Sequence, residues 1–100
     1  MVPLSATRRR ELRAAAHHLN PVVSVAGNGL SASVVAEIDQ ALRSHELIKV
    51  RIYGEDRDNR AALMEAICAQ VAAQAVQHIG NILVLWRENT AEPVSAADAP

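Results

Sequence analysis

Apolar residues recur along this chain with two different periods. Leu12, Ala15, Ala16 and Leu19 fall at i, i+3, i+4 and i+7, which places them on one helical face. Ser5 precedes them as an N-cap, so a first helix is predicted from about Ala6 to His18, stopped by Pro21. Val22 to Val25 reads as a buried strand. Ala26-Gly27-Asn28-Gly29 is a turn that needs residues tolerant of positive φ. A second helix is predicted from about Ser31 to Ser44, with Val34, Val35, Ile38, Ala41 and Leu42 turned inward. His45 suits the negative end of that helix. The period then drops to two. Ile48, Val50 and Ile52 point one way and Lys49, Arg51 and Tyr53 the other, so Leu47 to Tyr53 is a strand.

The polar loop from Gly54 to Asn59 offers Asp56 or Asp58 as a cap for a third helix, predicted from about Asn59 to Ala73. Leu63, Met64, Ile67, Cys68 and Val71 form its apolar stripe. Val76 to Ile79 and Ile82 to Arg87 read as strands, and Gly80-Asn81 between them is a two-residue hairpin signal. Residues 1–87 therefore form one domain, and 88–100, which have no period, read as an acidic disordered tail. The order α-β-α-β-α-β-β implies βαβ crossovers. The fold expected is a compact two-layer α/β domain with a mixed four-stranded sheet and three helices.

Charge changes the picture more than composition does. The net charge of −1 speaks against a nucleic-acid binder, but its distribution does not. Arg8, Arg9, Arg10 and Arg13 outweigh Glu11 near the start, whereas Glu88, Glu92 and Asp98 follow Arg87 with no base among them. No apolar run reaches the roughly 18 residues of a membrane span. The first arginines are not followed by the apolar stretch of a secretory signal. The single cysteine, Cys68, excludes an internal disulfide and suits a reducing cytoplasm.

Arg9, Arg10, Arg13 and His17 cluster away from the apolar face of the first helix, either to neutralise phosphates or as a solvated face. Lys49 and Arg51 project from one strand face and favour the phosphate reading. Gly27, Asn28 and Gly29 could present backbone N–H groups to a phosphate at a helix N-terminus, or simply connect strand to helix. Tyr53 and Trp86 are base-stacking candidates or core residues, and are too few for a stacking platform. His17, His18, His45 and His78 do not read as a metal set, and Cys68 reads as a small core residue. No catalytic constellation, cofactor motif or small-molecule site is legible.

The segments Leu12-Arg13, Ala16-His17, Pro21-Val22-Val23, Asn28-Gly29-Leu30, Ala36-Glu37-Ile38, Ala41-Leu42, His45 to Val50, Ile79-Gly80 and Leu85-Trp86-Arg87 occur together in this order. In this conjunction, over about residues 4–87, the chain resembles the CRM domain (chloroplast RNA splicing and ribosome maturation) in its bacterial stand-alone YhbY-type form. The resemblance implies a non-catalytic RNA-binding protein of the cytoplasm. It also implies association with ribosomal RNA of large-subunit precursors during ribosome assembly. The expected contacts are Arg9, Arg10, Arg13, His17, Gly27, Asn28, Gly29, Lys49, Arg51 and Arg87. No metal, cofactor or membrane is expected, and the protein is expected to be a monomer. Ala26 stands where the family has the first glycine of its Gly-x-x-Gly loop, and Asn20 and Asn81 stand where lysine is frequent. The rival expectation is a protein-interaction module on assembling ribosomes, with RNA contact incidental.

Overall fold

The computed structural model describes residues 4–26 and 30–88. The elements follow in the order α1 (Ala6–Ala16), β1 (Pro21–Val25), α2 (Ala32–His45), β2 (Leu47–Ile52), α3 (Arg57–Val71), β3 (Gln74–Ile79) and β4 (Ile82–Trp86). The proposed turn residues Gly27, Asn28 and Gly29, and the tail beyond Glu88, lie outside the described residues.

Side-chain caps set where the helices begin. Ser5 Oγ accepts from Arg8 N at 3.0 Å, Ser31 Oγ from Val34 N at 3.2 Å, and Asp56 Oδ1 from Asn59 N at 2.9 Å. Of the two acids offered as caps for α3, Asp56 takes the role, and the helix starts at Arg57 rather than Asn59. The first helix stops at Ala16, short of Pro21, through a turn in which Leu19 N donates to Ala16 O. Pro21 instead opens β1, an outer strand whose first residue tolerates a missing N–H.

The sheet order is β1-β2-β4-β3, with β1 and β2 parallel and the other pairs antiparallel. One face carries Val23, Val25, Ile48, Val50, Ile52, Leu83 and Leu85 and is covered by α2 and α3, which bring Ile38, Leu42, Met64, Ile67 and Val71. This is the main core and supplies the two expected layers. The opposite face holds a smaller cluster in which Leu12 and Ala16 of α1 meet Val76 and Val84, flanked by Leu47, Ile82 and Trp86. Thus α1 adds a partial third layer. Ala15, in its last turn, and Leu19, beyond its end, stay exposed although they share the apolar period.

Two tight joints are built on positive φ. Glu46, at φ 64° and ψ −45°, turns α2 directly into β2. Its strained backbone is fixed on both sides, since Glu46 N donates to Leu42 O and Arg87 N donates to Glu46 O, each at 2.9 Å. Ala72, at φ 56°, ends α3 in the left-handed conformation that glycine usually supplies.

Candidate nucleic-acid interface

At about 100° per residue, Arg9, Arg13, His17 and Arg10 follow one another around one flank of α1. Arg9 fixes where that flank looks. Its Nη1 donates to the carbonyls of Ala75 at 2.5 Å and Val76 at 3.4 Å, so it lies against outer strand β3. Arg9 is therefore half-buried and engaged with the protein's own backbone. Arg10, Arg13 and His17 are exposed, and among the described residues the side chains of Arg10 and Arg13 have no ionic or hydrogen-bond partner. Arg8, on the other flank, pairs with Glu11 at 3.3 Å and lies 5.3 Å from the centroid of the Trp86 ring. The stack of Arg8 on Trp86 takes up ring surface that a base would need.

The strand bases stand on the same sheet face as α1, since their neighbours Ile48, Val50 and Ile52 point into the α2–α3 core. Lys49 lies opposite Val84, and Arg51 opposite Ile82. Both are half-buried, and Arg51 Nε is buried with no hydrogen-bond partner among the described residues. An unmet buried donor on a cationic side chain invites an acceptor. Tyr53, next on this face, is exposed. On β1, Ser24 pairs with Arg51 and is exposed, so the face stays open toward that edge.

Arg87 has a different surrounding. Its side chain is 17 % exposed, and Nη1 donates to Asp39 Oδ1 at 2.7 Å and to Val71 O at 2.9 Å, while Nη2 reaches Asp39 O at 3.2 Å. It ties the end of β4 to both α2 and the C-terminus of α3. The hydrogen bond from Arg87 holds the Asp39 carboxyl below its ordinary value, helped by the nearby charges of Arg87 and Arg43 and opposed by burial. Burial pushes the Cys68 thiol up to about 11, in keeping with its place against the main core.

The residues on either side of 27–29 are joined to the neighbouring loops. Val25 pairs with Ile52, and Tyr53 N donates to Val25 O at 2.9 Å. Ile52 N in turn donates to Asn81 O at 2.8 Å. The chain leaving β1, the β2–α3 loop and the β3–β4 hairpin thus meet at one end of the sheet. At that end Arg57, Arg60 and His78 line a cavity of about 270 Å³ with Ile79 and Gly80. These three were not read as site residues in the sequence, because Glu55, Asp56 and Asp58 stand among the arginines and cancel their charge. The available signal was the i, i+3 spacing of Arg57 and Arg60 on a helix.

Among the described residues no three His, Cys, Asp or Glu side chains gather as a metal site would, and no helix is long and apolar enough to cross a membrane.

The CRS1/YhbY (CRM) domain profile matches residues 4–87. An RNA-binding protein of Haemophilus influenzae is 49 % identical over 87 residues, covering 87 % of this chain and 88 % of that protein. A probable RNA-binding protein of Pseudomonas aeruginosa is 42 % identical over 86 residues, covering 86 % of this chain and 83 % of the relative. In three dimensions the chain is similar to the solution structure of a Staphylococcus aureus protein described as a candidate RNA binder. The TM-score is 0.79 at 28 % identity, over 97 % of this chain and 99 % of the other. The mixed sheet, its three helices and the matched segment from Leu4 to Arg87 agree: the chain belongs to the CRS1/YhbY (CRM) domain family.

Proposed function

We propose that this protein is a non-catalytic RNA-binding module that associates with ribosomal RNA of large-subunit precursors in the cytoplasm. The observation that carries the RNA reading is the pairing of the exposed Arg10 and Arg13 on α1, beside His17, with half-buried cations on the open sheet face. Arg10, Arg13 and His17 stand on the flank of α1 that begins at Arg9, and Lys49 and Arg51 lie on the sheet face that α1 covers only in part. Such an arrangement neutralises backbone phosphates by position and charge, with little reading of base edges. Arg9 and Arg87 serve this surface indirectly, by docking α1 on β3 and β4 on the helices. Gly27, Asn28 and Gly29, whose sequence suits backbone donation to a phosphate, belong to the same proposal. The names of the relatives support RNA as the partner, and the family resemblance supports the ribosomal assignment.

Crosslinking in cells, followed by sequencing of the attached RNA, tests the ribosomal part. Large-subunit rRNA precursors are the expected product, and recovery of unrelated RNAs in proportion to their abundance contradicts it. A second reading, contact with an assembly protein, draws on one observation. Exposed Leu19 and Val22 border a largely apolar cavity of about 410 Å³ with Ala15, Leu47 and His45. If Leu19→Glu removed the protein from particles while leaving RNA affinity unchanged, this reading would gain.

A further inference from the structure

The cavity between the start of α3 and the β3–β4 hairpin is built from cations that the protein does not use for its own ion pairs. Among the described residues, Arg57 and Arg60 join no salt bridge, and none of Glu55, Asp56 and Asp58 lines the cavity. Asp56 is turned to its capping bond with Asn59 N. Arg57 stands in the first turn of α3, where the helix dipole disfavours a cation. Arg60 is steered in place, since its Nη1 donates to Glu55 O at 2.6 Å and its Nε faces His78 Nε2 at 3.3 Å. His78 Nε2 also lies 3.1 Å from Gly80 O.

That last pair of contacts is in conflict. One ring nitrogen faces a donor, the Arg60 Nε–H, and an acceptor, the Gly80 carbonyl. With a proton on Nε2 the ring satisfies Gly80 and leaves the Arg60 Nε–H without an acceptor, and without one the reverse holds. An anion in the cavity resolves it. The anion accepts from the Arg60 Nε–H, and His78 Nε2–H donates to Gly80 O.

We propose that Arg57, Arg60 and His78 form a phosphate-binding site that takes a backbone phosphodiester of the bound RNA, a second contact apart from the α1 flank. The inference rests on the RNA-binding reading above. Position supports continuity. Arg9 touches the Val76 carbonyl on β3, and three residues further along the same strand Ile79 lines the cavity. At about 3.3 Å per residue the two ends are about 10 Å apart. His78 faces α3 rather than α1, so the strand would pass around the outer edge of β3. Arg60, arginine rather than lysine, offers the planar fork that suits a phosphate.

Arg57→Glu in the full chain is the appropriate variant, because an acid in the first turn of a helix favours folding. Its melting temperature should equal or exceed that of the wild type. Its affinity for a structured ribosomal RNA fragment at low salt should fall several-fold, with the salt slope reduced by about 1. In a separate arm, inorganic pyrophosphate titrated into the ¹⁵N-labelled wild-type protein should shift the Gly80 and Asn81 amides saturably. Arg57→Glu should abolish that shift. Wild-type RNA affinity and slope in Arg57→Glu overturn the site, even while Arg10→Glu/Arg13→Glu still loses binding and upholds the RNA reading. If the wild-type protein shows no salt-dependent RNA binding, both fall.

Discussion

The two faces of the sheet solve different problems with the same strands. The face under α2 and α3 is filled by Ile38, Leu42, Ile48, Ile52, Ile67, Leu83 and Leu85, all essentially inaccessible to solvent. The face under α1 keeps a small apolar patch around Leu12, Ala16, Val76 and Val84 and gives its remaining positions to Lys49, Arg51 and Tyr53. Stability is concentrated on the first face, and the second exchanges core area for half-buried charge and the exposed Tyr53. The arginines divide along the same line. Arg87 is drawn into the frame by Asp39 and the end of α3, whereas Arg10 and Arg13 are left to solvent.

Truncation tests this contrast with the largest effect. Leu42→Ala opens a hole in the main core and should cost about 4 kcal/mol, whereas Leu12→Ala, under the thinner α1 layer, should cost about 2 kcal/mol. Equal losses in denaturant unfolding would break the comparison.

The next effect concerns Asp39. Removing its charge leaves Arg87 half-satisfied, so Asp39→Asn should destabilise by about 2 kcal/mol at neutral pH. Because the folded carboxyl titrates below its ordinary value of 3.8, the stabilisation is complete above that pH and fades as pH falls below it. Wild type and variant should therefore converge in acid, and a gap that persists unchanged to low pH would remove Arg87 and Asp39 from the frame.

Ala72→Gly sharpens the same face from the opposite direction. Glycine suits the left-handed C-cap of α3, so the variant should gain about 1 kcal/mol, read as a raised melting temperature. A smaller effect belongs to the acidic C-terminal stretch. If Glu92 and Asp98 compete with RNA for the α1 face, deleting residues 89–100 should raise affinity about two- to threefold at low salt and not at all at high salt.

Much of the frame was legible from periodicity. The cap at Ser5 and the hairpin at Gly80-Asn81 stand where the pattern put them, the alternation expected from Leu47 to Tyr53 ends one residue early at Ile52, and of the two caps offered for the third helix Asp56 takes the role, each because it depends on neighbouring residues. The end of α1 was overestimated, since Leu19 keeps the helical period although the helix stops at Ala16 and leaves an apolar cavity between Ala15, Leu19 and the start of β2. The fates of the arginines were illegible for a different reason. Whether Arg9 or Arg13 meets a carbonyl depends on how α1 is docked on β3, residues 66 positions away in the chain. Arg87 resembled a site residue in sequence, and only the approach of Asp39 makes it a structural tie. The cavity at His78 needed both the fold of α3 on β3 and the hairpin geometry.

The central claim is that the free cations of the α1 flank bind RNA backbone. A salt titration of affinity for a structured ribosomal RNA fragment measures it, with Arg10→Glu/Arg13→Glu beside the wild type and melting curves for both. Log affinity should fall linearly with log salt for the wild type, and the double variant should bind at least tenfold more weakly with a slope shallower by about 1.5–2. Equal affinity and slope in two equally folded proteins would contradict the account.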